Sequence, residues 1–206
     1  DLSAIYSALA AFGCALELDA VGVAVFDHGN APQGYSDRLF RFEYLDTRLR
    51  RHNQLSTFAF RADEVPHIMT RMQAVVQTYC GDAPLVVTDT APAAIAGALL
   101  DPVVQSRDRM LIANVGNYHT LAFRIRRTGE ADGLFEHHTG EVDSDHMDDL
   151  LEALSDSSLK HDDVYQDMGH GALIYDTAPL ILTTGDEWGV AIIGPRRNLM
   201  SRSRHL

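Results

Sequence analysis

The chain has 206 residues, 46% of them hydrophobic, and a formal net charge of -12. That is enough apolar chain for one large domain or two small ones. The charge excludes binding of nucleic acid or an anionic membrane through a general electrostatic field, so any anion site must be local. Lys160 is the only lysine and lies in an acidic helical stretch, so a Walker-type GxxxxGK[ST] loop is absent and Schiff-base chemistry has one poor candidate. Cys14 and Cys80 form no CxxC pair; no cysteine zinc site and no iron–sulphur cluster are expected, and a reducing cytoplasm is the expected setting. No apolar run approaches the roughly 20 residues that span a bilayer. The chain opens on Asp1 rather than methionine and runs straight into "LSAIYSALAAFG", which reads as a fragment of a longer protein.

Leu2, Ile5, Ala8, Leu9 and Phe12 recur at helical spacing, and Gly13 is a stop. "AVGVAVFDHG" predicts a buried strand ending in Asp27-His28-Gly29, and "NAPQGYSDR" is turn chemistry. Such a polar loop at a strand's carboxyl end is where open α/β sheets keep ligands. "SDRLFRFEYLDTRLRR" predicts a helix capped by Ser36 or Asp37, and "EVPHIMTRMQAVVQTYCG" another that starts near Pro66 and closes at Gly81. "APLVVTDTAPAAIAGALLDP" reads as strand, turn and alanine-rich helix. After "QSRDR", the runs "MLIANV", "HTLAFRIR" and "ADGLFEHHT" predict an antiparallel meander. Two acidic helices follow in "SDHMDDLLEALSDSSL" and "HDDVYQDM"; "PLILTTGDEWGVAIIGPRRNLM" alternates strand-like runs with glycine turns, and "SRSRHL" looks frayed. A soft boundary near residues 105 to 109 separates a first α/β subdomain, 1–108, from a second, 109–206, that opens with the hairpin.

The turn "NVGNYHT" has two readings. Backbone amides around a glycine turn can cradle phosphate, with hydroxyl or amide side chains completing the contacts. Glycine and asparagine are equally what an ordinary hairpin demands. Ten histidines form a second constellation: His28 within Asp27-His28-Gly29, His119 in the turn, the pair His137-His138 after Glu136, and His170 between glycines. Imidazole and carboxylate suit a first-row metal, although the spacing matches no zinc signature and adjacent strand residues face opposite ways, so at most one of His137 and His138 can reach a given site. Arg38 and Arg41 follow the Asp-His-Gly loop; their forks suit phosphate or carboxylate, or a salt bridge in so acidic a chain. Asp89, between two threonines, is a helix N-cap, a general base, or both.

The order "PAAIAGALLD", a short polar connection, then "MLIANVGNYHTLAFRI" resembles the centre of the actin, sugar-kinase and heat-shock-chaperone ATPase superfamily. The resemblance covers roughly residues 84 to 200 and implies an actin-like, ribonuclease H-like α/β fold with mixed sheets flanked by helices. It also implies a nucleotide or phosphorylated ligand in an interdomain cleft, with ATP and magnesium as the cofactors. On that likeness Asn114, Gly116, Asn117 and Thr120 fall on a phosphate-binding turn and Gly194 among adenosine-contacting glycines. Asn114 stands where the superfamily has an aspartate that holds a magnesium-bound water, and the superfamily's first phosphate loop is not found before the first helix. A more specific likeness runs nearly end to end. "VAVFDHGNAPQGYSDRLFRF", "TRMQAVV", "DTAPAAIAGALLDP", "NVGNYHTLAF", "GLFEHHTG" and "GHGAL" together resemble a prokaryotic family labelled "putative pyruvate formate-lyase activating enzyme". That label implies a radical S-adenosylmethionine enzyme, whose cluster needs three cysteines that this sequence lacks.

Three functions follow as expectations. In the first, the hairpin holds phosphate, Asp27 or Asp89 handles a proton or orients water, and His28, His119 and Glu136 complete a phosphotransfer or hydrolysis site. In the second, a metal-dependent hydrolase binds its transition metal with His28, Asp89, His119, His137 and His170. In the third, a ligand sensor keeps the cleft without catalysis. A small molecule or nucleotide is the expected partner in each case, nucleic acid and membrane are not, and homo-oligomerisation stays open.

Overall fold

The computed structural model describes residues 2–14, 17–182 and 189–205. Helices α1 (Leu2–Ala11), α2 (Asp37–Arg51), α3 (Thr70–Thr78), α4 (Thr90–Ala98), α5 (Pro102–Gln105), α6 (Ser144–Asp156) and α7 (His161–Tyr165) surround two sheets. The first sheet joins β1 (Val21–Ala24), β2 (Ala59–Arg61) and β3 (Leu85–Thr88), with β3 in the middle, parallel to β1 and antiparallel to β2. The second is built from β4 (Arg109–Val115), β5 (His119–Arg126), β6 (Ala131–His138), β7 (Gly171–Ile174) and β8 (Val190–Ile193), in the order β7-β6-β5-β4-β8. Its strands β4, β5 and β6 form the antiparallel meander that the sequence predicts, and β8 runs parallel to β4. The fold is therefore mixed α/β, with mixed sheets flanked by helices. No described helix is long and apolar enough to cross a membrane.

Period-two alternation puts the meander's side chains into two cores. Met110, Ile112, Leu121, Phe123 and Leu134 face one way and join Phe42, Leu45 and Leu49 of α2 and Ile95 of α4. Leu111, Ala113, Ala122 and Phe135 face the other way, against Met147, Leu150, Leu151 and Leu154 of α6. Helices encoded before residue 108 thus cover a sheet encoded after it. The first sheet has its own smaller core with α3, around Met72, Leu85 and Val87.

Several elements differ from the sequence expectation, each for a reason beyond the local pattern. Helix α3 begins at Thr70, not near Pro66. Met69 at its N-cap offers no side-chain acceptor; instead the distant Asp27 carboxylate accepts the amides of Arg71, at 2.8 Å, and Met72, at 3.0 Å. The tail is not frayed as far as His205, because Asp148 of α6 is buried and accepts from Ser203 Oγ and the Arg204 amide at 2.6 and 2.7 Å. Of the expected "ILTTGDEW" strand-and-turn stretch, residues 183–188 lie outside the described residues.

Arg124 of β5 is fully buried and closes the end of α6. It donates to the carbonyls of Leu154 (3.1 Å), Ser155 (2.9 Å), Asp132 (3.3 Å) and Asp176, and to Ser157 Oγ at 2.6 Å. Carbonyls at a helix end have no partner of their own, so Arg124→Met leaves several buried acceptors unpaired. Urea denaturation should show a loss on the order of 3 kcal/mol. A loss below about 1 kcal/mol would mean that water replaces the guanidinium without penalty.

Candidate metal centre

Strands β5 and β6 pair so that His119 lies opposite His138 and Leu121 opposite Glu136. These four side chains share the face of the sheet that α2 and α4 cover. Two further histidines reach the same place from loops, His28 after β1 and His170 immediately before β7, where the His170 amide donates to the Glu136 carbonyl at 2.8 Å. One ligand atom from each of His28, His119, Glu136 and His170 can be chosen so that all four lie within 4.8 Å of one another. The rings of His119 and His170 are 5.0 Å apart, and each is 5.4 Å from His28. Glu136 and His170 are buried, and the other two are half-buried.

Glycines make the two loops possible. Gly169 has no room for a side chain, since a Cβ would come within 2.7 Å of the His137 ring and 2.5 Å of Val164. Gly171 has φ +138°, and a Cβ there would meet the His161 ring at 2.3 Å. The flanking glycines of "GHG" are thus demanded by close ring contacts that deliver His170 to the cluster.

Arg41 of α2 anchors the arrangement. Its guanidinium pairs with Asp89, donates from Nε to Glu136 Oε2 at 3.2 Å and from Nη1 to the Asp27 carbonyl at 3.1 Å. Burial would lower the Arg41 pKa, but Asp89 and Glu136 more than offset it, so the arginine stays charged. Burial would likewise raise the Glu136 pKa, yet Arg41, and then His170 and His119, hold it below the usual carboxylate value. Asp89 is pushed up by burial against the pull of Arg41. Burial also pushes His119 down to about 4 and His170 down to about 3, and it lowers His28. Near neutral pH the cluster therefore offers neutral imidazoles and an ionised carboxylate. Three of its buried atoms, His28 Nε2, His170 Nδ1 and Glu136 Oε1, have no hydrogen-bond partner.

Other candidates from the sequence stand elsewhere. The Asp27 carboxylate accepts from the amides of Gly29, Arg71 and Met72, so it is a helix cap and not a member of the cluster. Asp89 caps α4 through the Ala91 amide at 3.4 Å and otherwise serves Arg41. His137 points to the opposite face of β6, where it meets Asp167; the residue of the pair beside the cluster is His138, whose ring lies 4.8 Å from His170 and 5.0 Å from His119. Parity with Glu136 was the signal that selects it, since i and i+2 share a strand face. Arg38 donates to the carbonyls of Tyr165 and Gly169 and so holds a loop. Gly194, at φ +102°, packs against the Val115 carbonyl and the Asn114 side chain, leaving no space for a Cβ.

Asn114, Gly116, Asn117 and His119 line a cavity of about 290 Å³ together with Glu136 and Thr90 of α4. Thr120 does not face it; alternation turns its hydroxyl to the other side, 3.0 Å from Thr139 Oγ1. Thr139 also takes the turn's carbonyls, donating from Oγ1 to Gly116 and from its amide to Tyr118.

A family model described as "Putative pyruvate format-lyase activating enzyme (DUF1786)" matches residues 1–199. The chain belongs to that family. No curated protein and no solved structure matches the chain. This chain's two cysteines, Cys14 and Cys80, are both free and exposed.

The depressed histidines set an acid limit. Their folded-state values lie below the ordinary 6.5, so as the pH falls the unfolded chain takes up protons before the folded one does. Stability is then fully present above the ordinary histidine value. It declines as the pH drops through about 4 for His119 and about 3 for His170. Urea midpoints of chelator-treated protein should fall between about pH 7.5 and pH 5, and the His119→Gln/His170→Gln double variant should flatten that slope. An equal slope in the double variant would place the acid sensitivity elsewhere.

Proposed function

We propose that this protein is a metal-dependent hydrolase that binds one divalent transition-metal ion through His28, His119, His170 and Glu136. The observation that carries this reading is the set of unpartnered buried atoms, one on each of His28, His170 and Glu136, within a group of four donors that lie within 4.8 Å of one another. Unpaired buried polar atoms cost about 1–3 kcal/mol each, and a cation serves two imidazoles and a carboxylate together. Four donors bonded at about 2.1 Å to one tetrahedral ion lie about 3.4 Å apart, so closure from separations within 4.8 Å asks each donor to move by about an ångström or less. Three imidazoles with one carboxylate suit zinc, iron or manganese better than magnesium, which prefers oxygen. When bound, such an ion acidifies water and polarises the bond to be cleaved.

The chain's own residues do the rest. Arg41 occupies Glu136 Oε2 and leaves Oε1 for the ion. Asp89 and the Asp27 carbonyl fix Arg41 in turn. The cavity beside His119 and Glu136 seats the substrate; water supplies a hydroxyl to one product and a proton to the other.

A second reading, of a nucleotide or phosphorylated ligand in an actin-like scaffold, is favoured by a different observation. The meander with β8 added parallel to β4, and helices on both faces, suits the ribonuclease H-like order of elements. The turn's carbonyls at Gly116 and Tyr118 are held by Thr139, and Asn117 and Tyr118 line the cavity, where backbone amides of such a turn can meet an anion. The two readings are compatible in one site, with the phosphorylated group beside the ion. Asn114 supplies no negative charge for ATP-bound magnesium, which favours the imidazole-held ion as the catalytic metal.

Metal analysis of the purified protein, followed by titration of chelator-treated protein with zinc, manganese and iron(II), should give about one ion per chain. His119→Ala, His170→Ala and Glu136→Gln should each weaken binding by at least about tenfold. Absence of any bound ion at millimolar metal would sink the metal reading. Calorimetry with inorganic phosphate and ATP then tests the second reading, and heat that survives Asn117→Pro unchanged would remove the turn from it.

A further inference from the structure

Resting on that metal reading, we infer that Asp167 is a positioning residue for the ion: with His137 and His146 it forms a bracket on the far face of β6 that holds the loop delivering His170. Four consecutive loop residues are each fastened, and three of the fastenings come from consecutive residues of β6. The Asp167 carboxylate lies 3.2 Å from His137 Nε2 and 3.2 Å from His146 Nε2 on α6. The Met168 carbonyl accepts from His138 Nδ1 at 2.7 Å. The Gly169 carbonyl accepts from Arg38 Nη1 at 2.6 Å, and the His170 amide donates to the Glu136 carbonyl at 2.8 Å.

The loop needs the bracket because its backbone is costly to hold. Met168 sits at φ +66° without being glycine, a conformation that persists only where its surroundings impose it. Successive residues of β6 divide the labour by strand parity: Glu136 faces the cluster, His137 takes Asp167 behind it, and His138 returns to the cluster side to hold Met168. Because Asp167 reaches both β6 and α6, it also fixes the loop relative to the helix that covers the sheet's second face. Gly169 must lie against the His137 ring for this to close, which its missing Cβ allows. Asp167 itself does not belong to the group of four donors, so its effect on the ion passes through His170.

The test uses the full chain and cobalt(II), whose visible spectrum reports its ligand field. Asp167→Ala should weaken cobalt affinity by about 10- to 100-fold in chelator competition and shift the cobalt bands towards those of His170→Ala. Asp167→Asn keeps an acceptor of the same shape and should stay within about threefold of the wild type. His146→Gln, at a half-exposed site, should lie between them. A purely structural role predicts a lowered melting temperature in Asp167→Ala with affinity and spectrum unchanged, and that result would overturn the inference. If the wild type takes up no cobalt, the metal reading falls while the bracket is still judged: amide exchange at Gly169 and His170 must rise at least about tenfold in Asp167→Ala, and unchanged protection would end it.

Discussion

The buried guanidinium of Arg41 is the contact on which the molecule's two sheets depend. It reaches the loop after β1 through the Asp27 carbonyl, the start of α4 through Asp89 and strand β6 through Glu136. The Arg41, Asp89 and Glu136 side chains are nearly inaccessible to water. Burying such a set gains little over well-packed apolar side chains, but removing one member strands the others and costs about 3–5 kcal/mol. The arrangement is therefore better understood as a specification of geometry than as a source of stability. A lysine could not substitute, because one ammonium lacks the fork that meets two carboxylates and a carbonyl at fixed angles.

That geometry determines what Glu136 can do. With Oε2 held by Arg41, the carboxylate has one free oxygen, directed among histidines that reach it from three different segments. Strand parity supplies the rest of the order: β6 alternates cluster, back face, cluster over Glu136, His137 and His138, and β5 matches it with His119 opposite His138. Neither sheet alone could build the centre. His28 comes from the loop after β1 in the first sheet, His119 and Glu136 from the second, and His170 from a loop pinned to both faces of β6. A ligand in the cavity would touch residues on α4, β4, β5 and β6, so its binding is sensitive to the packing between halves that the sequence order keeps apart.

Much of this was legible in local patterns. The meander, the Ser36 and Asp89 caps and the amphipathic α6 follow from alternation, capping chemistry and helical period. Glycines stand beside His28 and His170 in the sequence, and the structure gives each glycine a ring to approach: Phe40 for Gly29, His137 for Gly169 and His161 for Gly171. The illegible parts are long-range pairings. Asp27 is remote in sequence from the helix it caps, so no capping signature stands at Met69. Thr120 lies in the right turn but on the wrong face, as does His137 on β6, and both follow from a register that only strand pairing fixes. Arg38 and Arg41 share a helix, and only the fold decides that one holds backbone while the other orders the site.

The centre gathers several unpartnered buried polar atoms in one place. Some buried polar groups elsewhere are paired, since Asp148 holds the tail and Thr120 and Thr139 meet each other, while single atoms such as Tyr44 Oη, Arg48 Nε, Arg124 Nε and Ser144 Oγ lack partners. In the cluster, histidines crowd one carboxylate in surroundings that keep their rings neutral, and buried atoms of two histidines and of the carboxylate lack partners. A hydrophobic replacement would fill the same volume without leaving orphaned atoms, and the neighbouring Leu121 shows that this face accepts one. Local frustration concentrated in one cluster marks a candidate functional site. The proposed transition-metal ion would be positive, would accept nitrogen and oxygen donors together, and would sit beside the cavity that His119 and Glu136 line.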